Sequence, residues 1–126
     1  MAPRYGEPLF VISVAARLLE MHPQTLRKYE REGLIAPSRT AGNLRLYSDR
    51  DIERLRQVKY LVDERGLNLA GVQLALELTR RLRELRARIG GDGAAPLHQE
   101  LDGVLAMLGF VDEREAARRG LADEFD

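Results

Sequence analysis

The strongest constraint in the sequence is a helix confined to about three turns. Pro23 opens it and Gly33 closes it. Proline suits a first helical position, where its missing N–H would have no partner anyway. Glycine suits the left-handed residue that ends a helix. Upstream, Ser13 is placed to cap a short helix from Val14 to about Glu20, and only Met21-His22 separates the two. Two short helices with so small a break, the second opening on proline, form a helix-turn-helix pattern.

The next segment has the makings of a wing. Leu34 to Tyr47 lacks a helical period, and Pro37 and the Ala41-Gly42-Asn43 turn split it into two extended pieces, a small hairpin. Ser48 with Asp51 makes a capping box for a third helix, Asp49 to Arg65, whose apolar face carries Ile52, Leu55, Val58, Leu61 and Val62. Gly66 ends it, and Asn68 is placed to cap a fourth helix, Leu69 to Ile89. There Leu78, Leu82, Leu85 and Ile89 follow 4-3-4 spacing, a heptad seam suited to dimerisation or to packing on the tail helix. Gly90-Gly91-Asp92-Gly93 is a breaker and linker. Beyond it Leu97, Leu101, Val104, Leu105 and Leu108 mark an amphipathic helix, and residues 111–126 form an acidic end. Residues 1–10, with Pro3, Gly6 and Pro8, are expected to be a short extended arm.

The expected fold is mainly α. A winged helix-turn-helix DNA-binding domain occupies residues 1–77, a dimerisation helix residues 78–90, and a linker, amphipathic helix and acidic tail residues 91–126. The chain has no cysteine, which excludes disulfides, zinc fingers and thiolate chemistry. No stretch is apolar enough to span a membrane, and no signal peptide opens the chain, so no membrane association and a cytoplasmic location are expected. The net charge is zero, yet it is unevenly spread. Residues 1–65 hold 12 Lys/Arg against 9 Asp/Glu and residues 66–90 hold 5 against 2, a net of +6, whereas residues 91–126 hold 3 against 9. A basic body with an acidic end fits a polyanion partner better than the zero total suggests.

The polar face of the second helix carries Gln24, Arg27, Lys28 and Arg31, opposite Leu26 and Tyr29. A solvated helix face is commonly charged. Here it lies in a helix-turn-helix, and Arg and Gln bond base edges in the major groove. The candidate DNA-binding residues are His22, Gln24, Thr25, Arg27, Lys28, Tyr29 and Arg31, with Arg39, Arg45 and Tyr47 from the hairpin. His22 can instead cap its helix, and Tyr47 can instead pack on the helices. Arg45, beside the turn, is a candidate phosphate contact. His22 and His98 are the only histidines, too far apart in sequence to suggest a metal site. No nucleophile elbow, phosphate-binding glycine loop or paired-carboxylate motif is present, so an enzyme is not expected.

The run from Gln24-Thr25-Leu26-Arg27 through Tyr29-Glu30 to Gly33-Leu34, then Pro37, Arg39, Arg45, Tyr47-Ser48 and Asp51-Ile52, resembles the MerR family of regulators. Within it, Phe10-Val11-Ile12-Ser13-Val14-Ala15-Ala16, Met21-His22-Pro23 and Asn68-Leu69-Ala70-Gly71-Val72 resemble the heat-shock repressor (HspR) branch. The resemblance implies a homodimer that binds inverted repeats in double-stranded DNA upstream of chaperone genes. It also implies repression, with a DnaK-type chaperone as co-repressor and no cofactor. Leu46 stands where many relatives have a second basic wing residue, and the segment after Ile89 departs from a long family dimerisation helix. The alternative is a MerR-type ligand-responsive transcriptional activator, whose ligand domain would have to be residues 91–126. An interaction module without DNA contact is a further rival.

Overall fold

The computed structural model describes residues 6–111. The elements run β1 (Pro8–Val11), α1 (Ile12–Leu19), α2 (Pro23–Arg31), β2 (Ser38–Arg39), β3 (Arg45–Ser48), α3 (Asp49–Asp63), α4 (Leu69–Arg88) and α5 (Ala94–Met107). They divide into two compact units, residues 1–69 and 70–126. The architecture is mainly α with a small hairpin wing, as the sequence pattern predicts.

In the first unit the sheet has three strands, in the order β1-β3-β2, all neighbours antiparallel. The expected two-stranded hairpin is present as β2 and β3. The additional strand is β1, expected only as part of an extended arm: Phe10 pairs with Tyr47 and Val11 with Leu46, after an irregularity between Pro8 and Phe10. Pro8 has no N–H to give a ladder, so it marks the strand's first residue and conceals the strand in sequence. The hairpin loop is organised by Thr40, whose N–H donates to the Leu44 carbonyl at 2.9 Å and whose hydroxyl accepts the Leu44 N–H at 3.1 Å. Asn43 takes the left-handed turn position (φ 66°).

The core of this unit is Ala15, Ala16 and Leu19 of α1, Leu26 and Tyr29 of α2, Leu34 and Ile35, Tyr47, and Ile52, Leu55, Val58 and Leu61 of α3. α1 begins two residues earlier than expected. It starts at Ile12 with Val11 as its cap, and Ser13 makes no cap bond. Accordingly Ala15, Ala16 and Leu19 face inward, while Val14 and Leu18 are 39% and 44% exposed. The small alanines let α1 lie against both α2 and α3. α1 ends at Glu20 in the left-handed conformation (φ 52°), and Lys59 of α3 donates to the Leu19 and Glu20 carbonyls at 3.0 and 3.4 Å. A cation thereby satisfies acceptors that the helix end leaves open. α3 has the expected capping box: Ser48 Oγ accepts the Asp51 N–H, and the Asp51 carboxylate accepts the Ser48 N–H. Its helix ends slightly earlier than expected, at Asp63, with Gly66 left-handed (φ 66°).

In the second unit α4 and α5 form an antiparallel pair, turned by residues 89–93 with Gly91 and Gly93 at positive φ. The glycine run is therefore a tight reversal. Arg86 grips Asp102 with two hydrogen bonds of 2.7 and 3.2 Å. His98 Nε2 lies 3.2 and 2.8 Å from the Arg86 and Ile89 carbonyls. Both oxygens can only accept, so Nε2 carries the proton and His98 closes the end of α4. Arg83 stacks over the Phe110 ring at 4.4 Å, and Leu105 is buried. Among the described residues no helix is long and apolar enough to cross a membrane. Most of the acidic end, residues 112–126, lies outside the described residues.

Candidate nucleic-acid interface

α2 is positioned by both of its ends. Pro23 is its first residue and His22 its cap, with Nδ1 accepting the Gln24 N–H at 3.0 Å. That bond makes Nδ1 the unprotonated nitrogen and leaves Nε2–H for an outside acceptor. At the other end Leu34 N–H bonds back to the Tyr29 carbonyl at 2.9 Å across Gly33 (φ 78°). Arg54 of α3 donates to the Leu34 carbonyl at 2.6 Å and fixes the exit into the wing.

Leu26 and Tyr29 face the core, at 0% and 7% exposure. Gln24, Lys28 and Arg31 are exposed, and Thr25 and Arg27 half-buried. Lys28 pairs loosely with Glu32 at 3.8 Å. Arg27 and Arg31 make no hydrogen bond or ion pair among the described residues. Two guanidiniums on one helix face therefore keep their full sets of N–H donors for a ligand.

Two of the expected DNA contacts are corrected by burial. Tyr47 is fully buried, because the alternation of β3 turns it inward, and its hydroxyl has no partner among the described residues. Burial, then the Glu30 charge, raises its pKa above the ordinary 10.0. Tyr29 is likewise a core residue, its pKa raised by burial and by Asp63 and Glu32. Both tyrosines belong to the core of the first unit.

The wing arginines are also not bare. Arg39 Nη2 lies 2.7 Å from Glu30 Oε1, and Arg45 Nε lies 2.5 Å from Glu30 Oε2. Arg39 Nη1 further donates to the Asn43 carbonyl at 3.2 Å. Partial burial raises the Glu30 pKa, but hydrogen bonds and charge from Arg45 and Arg39 outweigh it and hold the carboxyl below its ordinary 4.5. Sequence reasoning missed Glu30, Arg54 and Lys59. Glu30 left a trace, as the acid interrupting the basic run Arg27-Lys28-Tyr29-Glu30-Arg31. Arg54 and Lys59 left none, since their partners are backbone carbonyls 20 and 40 residues away.

Among the described residues no group of three His, Cys, Asp or Glu is placed to hold a metal. His22 and His98 belong to different units, each engaged at a helix end.

A short helix with an outward basic face, packed on α1 and flanked by a β-wing, defines a DNA-binding transcription regulator of the winged helix-turn-helix class. The sequence pattern of the MerR HTH regulatory proteins matches residues 10–79, more than half of the chain, and the chain belongs to that family. It is 51% identical over 110 residues to a Streptomyces coelicolor protein named as a heat shock protein, HspR, covering 87% of this chain and 68% of that one. It is 40% identical over 73 residues to the HTH-type transcriptional regulator GlnR of Bacillus cereus, covering 58% of this chain and 56% of GlnR. It is 39% identical over 69 residues to the HTH-type transcriptional regulator MlrA of Escherichia coli, covering 54% of this chain and 28% of MlrA.

Proposed function

We propose that the chain is a dimeric repressor of heat-shock and chaperone genes that binds an inverted-repeat operator, with a DnaK-type chaperone as co-repressor. The observation that carries this reading is the reach of the likeness to HspR. Of its 110 aligned residues at most 79 can fall within residues 1–79, so at least 31 lie beyond, in the second unit. The 73-residue match to GlnR needs no more than the DNA-binding part. On this reading the second unit holds the control surface.

On this reading residues 1–77 bind DNA, residues 78–90 pair two copies, and residues 91–126 meet the regulatory partner. Arg27 and Arg31, with Gln24 and Lys28, read base edges in the major groove, and Thr25 and His22 add contacts at the start of α2. Arg39 and Arg45 contact phosphate. The dimer seam runs through Leu78, Leu82, Leu85 and Ile89. Leu78 and Leu85 are 43% and 46% exposed in the single chain, which supports a seam awaiting a partner. Transcription in vitro from a chaperone-gene promoter tests the reading. The full chain should lower transcript yield, and purified chaperone should deepen the effect. A rise in transcript with a metabolite, and no response to chaperone, favours the ligand-responsive activator.

A further inference from the structure

Arg39 and Arg45 are direct partners across the β2–β3 ladder. Like charges directly opposite on a two-stranded ribbon repel. What compensates them is a carboxylate from another element, Glu30 of α2, which places one oxygen on each guanidinium at 2.7 and 2.5 Å. The three side chains are only 34%, 28% and 21% exposed, so the cluster is screened less than an open surface pair. Among the described residues Arg45 spends only its Nε–H, on Glu30, leaving four of its five N–H groups. Within the same residues Arg39 spends one N–H each on Glu30 and Asn43, leaving three. The cluster keeps a net charge of +1 and most of its donors.

We propose that Glu30 is a positioning residue for DNA binding: it orients the Arg39 and Arg45 guanidiniums into a preformed phosphate clamp at a fixed distance from the reading face of α2. Arg27 and Arg31 flank Glu30 on the same helix, so one rigid element carries both the base-reading groups and the anchor of the phosphate-binding groups. Without the anchor each arginine must give up rotamer freedom when it meets DNA. With it, that ordering is complete beforehand, which favours binding without any added contact. This rests on the assignment of Arg39 and Arg45 to phosphate.

The test is a titration of the full chain against a random-sequence duplex at several salt concentrations, with Glu30→Gln, an Arg39→Ala/Arg45→Ala variant, and the three changes combined. Thermal unfolding of each protein fixes a temperature at which all are folded. Glu30→Gln adds one positive charge, so simple electrostatics predicts tighter binding. Positioning predicts the opposite sign: weaker binding, roughly 3- to 10-fold, and a salt slope shallower by about 1 to 2 as phosphate contacts are lost. In the background lacking both arginines, Glu30→Gln should cost nothing further. Unchanged or tighter binding by Glu30→Gln overturns the proposal and makes Glu30 a sequestering group. An equal loss in both backgrounds overturns it too, because Glu30 would then serve the fold and not the arginines. If Arg39→Ala/Arg45→Ala binds as tightly as the unaltered chain, the phosphate assignment itself fails.

Discussion

Arg27 and Tyr47 show how one side chain's surroundings decide its role. Arg27, half-buried on the polar face of α2, spends no N–H donor among the described residues, so its replacement should be felt in sequence choice. Arg27→Ala is expected to cost ~1–3 kcal/mol on an operator and little on random DNA; equal losses on both would reassign it to phosphate. Tyr47 holds a hydroxyl in the core with no partner among the described residues. An unmatched buried donor costs about 1–3 kcal/mol. Tyr47→Phe should therefore leave DNA affinity unchanged and hold or raise unfolding stability, by up to ~1 kcal/mol. A loss of stability on denaturant titration would mean that the hydroxyl is satisfied. Glu30 carries a pH signature. Its folded pKa is depressed below the ordinary 4.5, so its contribution is present above that value and is lost as pH falls through the folded one. The stability gap between the unaltered chain and Glu30→Gln should be flat above about pH 5.5 and shrink steadily below about pH 4.5; a gap that stays constant into acid would remove the ion-pair account.

At the scale of elements, α2 is held by its caps, and the segments before and after it are fixed by cations from α3. Removing the Ser48 hydroxyl in Ser48→Ala breaks half of the capping box and should cost ~1 kcal/mol. Lys59→Met keeps the aliphatic stem but drops the bonds to Leu19 and Glu20, so it should destabilise by about 1 kcal/mol and loosen the turn before α2. Hydrogen exchange at Met21 to Leu26 checks this; unaltered protection there would show that the turn holds without the lysine. These elements also mark what the sequence makes legible. Pro23, Gly33, Ser48-Asp51 and Gly66 announce helix ends because caps are local chemistry, and each stands where its residue type predicts. The core face of α2 and the hairpin wing are equally legible. The β1 strand is not, because its pairing with β3 spans nearly forty residues and its first residue is a proline. The start of α1 misleads for a related reason: Ser13 is a good cap in isolation, but β1 runs directly into the helix at Ile12. The Glu30 cluster requires the folded hairpin, since its members are 9 and 15 residues apart.

At the scale of the molecule, the first ninety residues are net basic and residues 91–126 net acidic, a division that suits a polyanion on one side and a regulator on the other. The exposed leucines of α4 predict self-association. Leu85→Glu, or Leu82→Glu, would place an unpaired charge in the seam and should yield monomers in sedimentation. A variant that stays dimeric would move the interface to α5, where Leu97 and Val104 are 53% and 42% exposed. A chaperone that binds the DNA-competent form better than the free form must raise DNA affinity by the same factor, and removal of residues 91–126 should abolish that gain. An undiminished gain in the truncated chain would place the partner surface in the first ninety residues. The most direct test of the whole account is a competition titration of the full chain at physiological salt. One duplex carries an inverted repeat from a chaperone-gene promoter, and the other is the same length and composition, scrambled. The account predicts preference for the inverted repeat by about 10³ or more, reduced about 5- to 150-fold by Arg27→Ala. Equal affinity for the two duplexes would contradict it.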